Sequence, residues 1–245
     1  MDKEEYFLDM ASDIEYLVEL LNKKGINISA AYKVSTSIKS KKELEYTLPP
    51  LSIEIGDTEK FPKRISHSKS VKSLVLLFDL SILGSYDQLK EDKDPFKEFS
   101  FNIVIKGKNK NNPQSKLVYA LHLDRHNIEE QQDGNEPNQA HPLYHFQFGG
   151  SKIKEESIDF GQALFLDAPR IMHHPIEFIL GIDFILSNFV PQVWNMLKED
   201  RSYKKILSKY QKDFILPYFR SITSHLESNP SIWNAQNLYP QLVRQ

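Results

Sequence analysis

Apolar positions recur every three or four residues in the first segment of the chain, between Phe7 and Leu21. This spacing places them on one face of an amphipathic helix, which we predict over residues 1–25. The helix is predicted to end at Gly25, because glycine commonly follows the last helical turn. The two lysines before it suit the negative end of the helix dipole. The apolar face of this helix is therefore expected to pack on a core.

From residue 26 to residue 167 the apolar positions recur every second residue, which is the period of strands with one buried face. Weak alternation predicts irregular strands over 26–38 and 43–55, with Pro49-Pro50 at a bend or a sheet edge. Clearer strands follow at 73–83, 98–107, 116–126, 142–150 and 163–167, separated by polar loops at 106–116 and 127–140. The pattern predicts an antiparallel sheet of about five to seven strands, covered on one side only.

Residues 168–245 have the pattern of a helical region. Pro175 is predicted at a first helical position, directly behind His174. Helices are expected at 176–190, 191–198 and 202–227, with Pro217 kinking or splitting the last of them, and the tail at 231–245 is expected to dock. Together these segments predict a single α+β domain over residues 1–245: an N-terminal helix, an antiparallel sheet with one polar face, and a helical C-terminal part.

The polar face of the predicted sheet has an unusual composition. The residues that alternate with the apolar ones are Asp79, Ser81, Ser100, Asn102, His122, Asp124, His126, His145, Gln147 and Gly149. Most are short or able to bind ligands, whereas an exposed sheet face commonly carries threonine and long charged side chains. Five of them lie on two consecutive strands that are expected to pair.

The strongest candidate site follows from the spacing of His122, Asp124 and His126. Residues two apart in a strand lie on the same face, so two imidazoles and a carboxylate could surround a divalent metal such as zinc, manganese or iron. His145 or His141 would add a further ligand. Alternatively, His122, Asp124, His126 and His145 would serve as catalytic acids and bases, because imidazole titrates near neutral pH. Gln147 belongs to the same group, as a binding residue. The competing interpretation is that these histidines only stabilise the fold.

A second candidate is the segment from residue 168 to residue 177. Arg170 follows a predicted strand, and His173 and His174 precede a predicted helix. Backbone N–H groups at a helix start favour anions, and these three side chains would add to that preference. The alternative is that Pro169 and Pro175 only shape a tight joint between the strand and the helix.

The net charge of −2 conceals an uneven distribution of charge along the chain. Residues 1–24 contain seven acidic and three basic residues, whereas residues 198–220 contain seven basic and three acidic residues. Lys204, Lys205 and Lys209 are predicted on a surface that would bind nucleic acid. The alternatives are a solvated face or one that meets an acidic surface, such as that of the N-terminal helix.

Composition excludes several classes of protein. The 245 residues include no cysteine, so the chain has no disulfide, thiolate zinc site or cysteine nucleophile. No apolar run reaches the roughly 18 residues of a membrane span, and the acidic N-terminus does not resemble a signal peptide. The sequence contains neither a GxSxG motif nor a glycine-rich phosphate loop. We therefore predict a cytoplasmic protein without a membrane partner.

Three short motifs resemble an uncharacterised bacterial family: HPLYHFQFGG at 141–150, APRIMHHP at 168–175 and SNF at 187–189. The resemblance covers about residues 117–190 and draws attention to His141, His145, Gln147 and Arg170, which carry it. It implies no activity. Because such genes are found near mobile elements and phage-defence loci, it implies that context for this chain.

Two functions follow from these observations. The first is a binding or assembly subunit of a bacterial multi-protein system, with a protein partner and with nucleic acid as a further candidate partner. The alternative is a nuclease or phosphoesterase that uses the histidines and Asp124, with or without a divalent metal. No cofactor is assigned with certainty.

Overall fold

The computed structural model describes residues 1–55, 71–109, 112, 116–126, 141–150, 153, 170–227 and 238. Over these residues the fold is α+β, as predicted. Its helices are α1 (Lys3–Lys23), α2 (Tyr32–Lys41), α3 (Tyr86–Lys90), α4 (Phe178–Phe189), α5 (Pro191–Leu197), α6 (Arg201–Tyr210) and α7 (Leu216–Leu226), with a 3₁₀ turn at Ser29–Ala31 and a π-helical turn at Gln211–Ile215. Its strands are β1 (Glu45–Ile55), β2 (Val71–Gly84), β3 (Phe96–Asn109), β4 (Lys116–Arg125), β5 (Tyr144–Phe148) and β6 (Ile171–Met172).

The predicted N-terminal helix is confirmed as α1. The Asp2 side chain caps it by accepting a hydrogen bond from the Glu5 backbone N–H at 2.8 Å. The predicted apolar positions are all buried, from Phe7 to Leu21. Gly25 follows the helix with φ of +83°, which glycine adopts without strain.

The prediction of a strand over residues 26–38 is wrong, because this segment contains the 3₁₀ turn and most of α2. Ala31, Val34 and Ile38 are buried and share one helical face. This face packs in the same core as α1. Packing therefore outweighs the strand preference of the β-branched residues in this segment.

The six described strands form one open antiparallel sheet in chain order, from β1 to β6. The register between β1 and β2 shifts between Leu48 and Leu51, at Pro49-Pro50, which confirms the predicted irregularity on an edge strand. β3 continues to Asn109, so the first residues of the predicted loop at 106–116 belong to a strand. The predicted loop at 127–140 and the predicted strand at 163–167 lie outside the described residues.

The main hydrophobic core lies between one face of the sheet and the helices. Helix α4 approaches the sheet closely at Gly181, where an added Cβ would lie 2.8 Å from the Phe101 ring. The expectation that the sheet is covered on one side only needs correction. A small second cluster on the opposite face combines Val104, Ala120 and Ile153, with Leu77 and Val118 packed against it. One end of that face is therefore apolar and covered.

Helix α4 begins at Phe178, three residues later than predicted from Pro175. Glu177 caps it: its side chain accepts hydrogen bonds from the backbone N–H groups of Ile179 and Leu180, both at 2.8 Å. Pro175 is therefore not the first helical residue.

The predicted C-terminal helices are confirmed as α5, α6 and α7. The last two are separated by the π-helical turn, which ends at Ile215, two residues before Pro217. In the tail at 231–245, only Leu238 is among the described residues, and it is buried in the main core. No helix in the described part of the chain is both long and apolar enough to span a bilayer.

Candidate functional site

The register of the sheet arranges the predicted polar residues in two rows that run across the strands. The first polar row consists of Asp79, Asn102, His122 and Gln147, which oppose one another on β2 to β5. The second polar row consists of Thr47, Ser81, Ser100, Asp124 and His145, on β1 to β5. Residues within a row are about 5 Å apart, and the rows are about 7 Å apart. The rows therefore form one continuous polar surface.

Arg170 extends this surface on the far side of β5. Strand β6 pairs Met172 with His145 and Ile171 with Phe146. The same register, continued by one residue, places Arg170 beside Gln147 at the end of the first polar row. The positive charge of Arg170 is also one of the causes that lower the pKa of His145. The first row thus runs from the carboxylate of Asp79 to the guanidinium of Arg170.

Short hydrogen bonds organise the side chains on β2 and β3. Asn102 Nδ2 donates to Asp79 Oδ1 at 2.8 Å and to Ser100 Oγ at 2.9 Å, which links the two rows. In the second row, the hydroxyl oxygens of Thr47 and Ser81 lie 3.2 Å apart. This network fixes the orientation of the Asn102 amide.

His122 and Asp124 are in direct contact. His122 Nε2 lies 3.3 Å from Asp124 Oδ2, and the two side chains retain 13% and 38% of their exposure. Burial raises the pKa of Asp124 above its ordinary value, the positive charge of His122 lowers it, and the nearby Asp79 raises it again. A carboxyl group with a raised pKa beside an imidazole is an arrangement that can move protons.

Three other histidines form a stack beside this pair. The His126 and His141 rings have centroids 3.9 Å apart, and those of His141 and His145 are 4.6 Å apart. His145 Nδ1 donates to the Pro142 carbonyl oxygen at 3.1 Å. Because a carbonyl can only accept, Nδ1 carries the proton and Nε2 is left with its lone pair.

Burial is the main reason why His141 and His145 are neutral at physiological pH. The pKa of His145 is lowered to about 4 by burial, together with the charges of Arg170, His122 and His126, and against the hydrogen bond to Pro142, which raises it. Burial likewise lowers the pKa of His141 to about 3, with contributions from the charges of His126, His145 and Arg170. His145, Gln147 and His126 are buried, so this end of the predicted open face is closed to solvent.

The predicted metal ligands do not converge. His126 stacks on His141 and does not join His122 and Asp124 around a common point. Among the described residues, no group of three or more histidines and carboxylates is arranged to hold a metal ion.

The predicted anion site before α4 separates into two parts. Arg170 belongs to the polar rows, but His173 packs its ring on Phe146, on the core side of the sheet, at 4.4 Å between centroids. His174 stacks on His173 at 4.0 Å, and burial lowers its pKa to about 3, helped by the charge of His173. These two histidines are therefore not brought together with His122 and Asp124.

The three predicted lysines also differ from one another. Lys204 and Lys205 are exposed on α6. Lys209 donates to Asp9 and Asp13 of α1, which matches the alternative that this helix meets the acidic N-terminal helix. The basic surface is therefore smaller than the sequence suggests.

Sequence reasoning gave no structural role to two glycines that shape the polar rows. Gly149 and Gly150 have φ of +88° and +72°, and Gly150 packs against the His122 ring. The only signal for them was the glycine pair at the end of a strand, a common sign of a turn or a close backbone approach.

Comparison with protein-family models, curated proteins and solved structures finds no match to this chain.

Proposed function

We propose that the two polar rows form an acid–base site that hydrolyses a phosphoester. The observation that carries the proposal is the partly exposed contact of 3.3 Å between His122 Nε2 and Asp124 Oδ2. This contact lies in a surface of fixed amides and hydroxyls, with a guanidinium at its end. Such a surface offers groups for proton transfer and groups for binding an anion.

Each group has a role in this reaction. Within the His122–Asp124 pair, one group accepts a proton from the attacking water and the other donates a proton to the leaving oxygen. A proton then passes between them across their contact, which restores both groups. Arg170 supplies positive charge for the phosphate. Asn102 Nδ2 already donates to Asp79 and Ser100, so its Oδ1 is the atom that accepts a hydrogen bond from the attacking water.

Hydrolysis assays with single variants test this proposal. The probes are p-nitrophenyl phosphate, bis-p-nitrophenyl phosphate and a single-stranded oligonucleotide, each assayed with EDTA and with added Mg²⁺, Mn²⁺ or Zn²⁺. His122→Gln and Asp124→Asn are expected to reduce hydrolysis about 100-fold or more, the range of general acid–base catalysis. His225→Gln, on α7, is the matched control. Absence of hydrolysis by the wild-type protein, or equal rates in all variants, would overturn the proposal.

A second candidate function is a binding or assembly subunit of a bacterial multi-protein system. Exposed apolar side chains favour it: Tyr119, Phe148 and Ile171 retain 39%, 51% and 49% of their exposure on β4 to β6. The resemblance in sequence supports a defence or mobile-element setting, and the expected location is the cytoplasm. The exposed Lys204 and Lys205 support nucleic acid as another partner.

Copurification with the products of neighbouring genes tests the second candidate. Phe148→Asp is expected to abolish capture of a protein partner, whereas Leu226→Asp on α7 is expected to leave it unchanged. A gel-shift assay with Lys204→Glu and Lys205→Glu tests nucleic acid. A protein that copurifies with nothing and shifts no oligonucleotide would argue strongly against this function.

A further inference from the structure

Two consecutive glycines place a turn directly over the His122 ring. Gly149 and Gly150 follow β5, and their φ angles of +88° and +72° lie in the left-handed region. The Gly149 backbone N–H donates to the Ala120 carbonyl oxygen at 3.0 Å, which holds the turn on β4 beside His122. The turn is therefore attached to the same strand that carries the imidazole.

The space over the ring is too small for a side chain. A Cβ added at Gly150 would lie 2.8 Å from His122 Cε1 and 3.2 Å from Nδ1. Real Cβ atoms essentially never approach another heavy atom within 3.0 Å. Nε2, which is bonded to Cε1, lies 3.9 Å from the same added Cβ and 3.3 Å from Asp124 Oδ2, so the turn and the carboxylate contact neighbouring edges of the ring.

We infer that Gly150 is a positioning residue for His122. Its bare backbone supports the ring on one edge and keeps Nε2 directed at Asp124. A side chain at this position would push the ring away from the carboxylate and lengthen the path along which the proton returns. This inference rests on the proposed function, since it assigns Gly150 to the same reaction.

Gly150→Ala tests the inference, and Gly25→Ala provides a matched control. Gly25 also has a positive φ, of +83°, but a Cβ there would meet nothing within 4 Å. Both variants place alanine in a strained backbone conformation, and only one of them displaces His122. We expect Gly150→Ala to lower kcat at least tenfold, with a smaller effect on KM and a shifted pH profile. Gly25→Ala is expected to stay within twofold of the wild-type rate.

Two measurements do not depend on activity and so separate this inference from the proposed function. The first is the NMR signal of the His122 imidazole nitrogens, which we expect to shift in Gly150→Ala and to be unchanged in Gly25→Ala. The second is a double-variant comparison. With His122→Ala in place, Gly150→Ala should lower Tm no more than Gly25→Ala does, because the ring that it strikes is gone.

Specific results would overturn the positioning role. Unchanged His122 signals in Gly150→Ala would do so, as would a loss of Tm in Gly150→Ala that persists fully in the His122→Ala background. If the wild-type protein hydrolyses none of the probes while the His122 signals shift as expected, the proposed function fails and the placement of the ring by Gly150 stands.

Discussion

Lys209 Nζ lies 2.7 Å from Asp13 Oδ2, and this ion pair joins helix α6 to helix α1 across 196 residues of sequence. Lys209 also donates to Asp9, and the Tyr210 hydroxyl donates to Asp13 at 3.1 Å. The two side chains of the pair retain 23% and 18% of their exposure, so water screens it only in part. The acidic N-terminal segment and the basic segment at 198–220 are therefore in direct contact at this ion pair.

Removal of this pair should destabilise the fold measurably. Asp13→Asn is expected to lower the free energy of unfolding by about 1–3 kcal/mol, between the values for exposed and buried ion pairs. Lys204→Gln is the control, because Lys204 contacts Glu199 at 3.8 Å and both side chains are more than half exposed. Urea titration would measure both variants, and equal losses would contradict the assigned importance of the Lys209 pair.

A larger loss is expected from the buried network around Asp94. Arg125 Nη2 lies 2.8 Å from Asp94 Oδ2, and the Tyr144 hydroxyl donates to Asp94 Oδ1 at 2.5 Å. Asp94→Asn would leave the guanidinium without its counter-charge at a site where the Arg125 and Asp94 side chains retain only 13% and 17% of their exposure. We expect a loss of about 3–5 kcal/mol in unfolding free energy. Glu91→Gln, which removes an exposed partner of Lys93, should change it by less than about 1 kcal/mol. A small effect of Asp94→Asn would show that the network contributes little.

Strands β1 to β5 were predictable, whereas helices α2 and α3 and the two-residue strand β6 were not. A strand with one buried face has a period of two that is visible over ten residues, as between Leu74 and Leu83. The segment from Ile26 to Ile38 also alternates weakly, and its Ile, Val and Thr residues favour strands. The spacing of Ala31, Val34 and Ile38 also fits one face of a helix. Contact of this face with α1 decides between the helix and the strand.

The content of the candidate site was predictable, but its geometry was not. The sequence indicated that His122, Asp124 and His145 share a face, because alternation fixes the side of a strand. Which residues oppose each other depends on strand register. The place of Arg170 depends on the pairing of β5 with β6, a strand of only two residues. The stacking of His126 on His141 depends on chain outside the strands, where periodicity gives no information.

Glu177 should make the protein less stable at alkaline pH. Burial raises the pKa of its carboxyl to about 8, against the two backbone N–H donors, which lower it, and with added repulsion from Asp213 and Asp13. A carboxyl group whose pKa is higher in the folded than in the unfolded state stabilises the fold fully below about pH 4.5. This stabilisation is lost as the pH rises towards 8. The loss is on the order of 3–5 kcal/mol.

Glu177→Gln tests this dependence, because glutamine does not titrate. Chemical denaturation at pH 5, 6.5 and 8 should give a smaller decline for this variant than for the wild-type protein. Asp200→Asn is the control, since Asp200 caps α6 by accepting from the Tyr203 backbone N–H at a partly exposed site. A decline in Glu177→Gln as steep as that of the wild-type protein would refute the role of Glu177.

The histidine stack should make the protein less stable in acid. The pKa of His145 is about 4 in the fold and about 6.5 in an unfolded chain. Its contribution to stability is therefore complete above pH 6.5 and is lost as the pH falls towards 4, where the unfolded state binds the proton first.

For His145 alone the loss between pH 7 and pH 4.5 is about 2–3 kcal/mol. His145→Gln should show a correspondingly smaller difference in unfolding free energy between these two pH values. His225→Gln should retain the full wild-type difference. Identical acid sensitivity in His145→Gln and the wild-type protein would show that this histidine is not the responsible group.

The paired prolines of β1 limit how the sheet can grow. β1 is an edge strand in the described sheet, and Pro49 and Pro50 lack the N–H groups with which an incoming strand would pair. They also interrupt its register in the middle of its 11 residues. A second molecule therefore cannot extend the sheet along the whole of β1. Strand addition between molecules is therefore disfavoured at the β1 edge of the described sheet, which lies opposite the edge near the histidines.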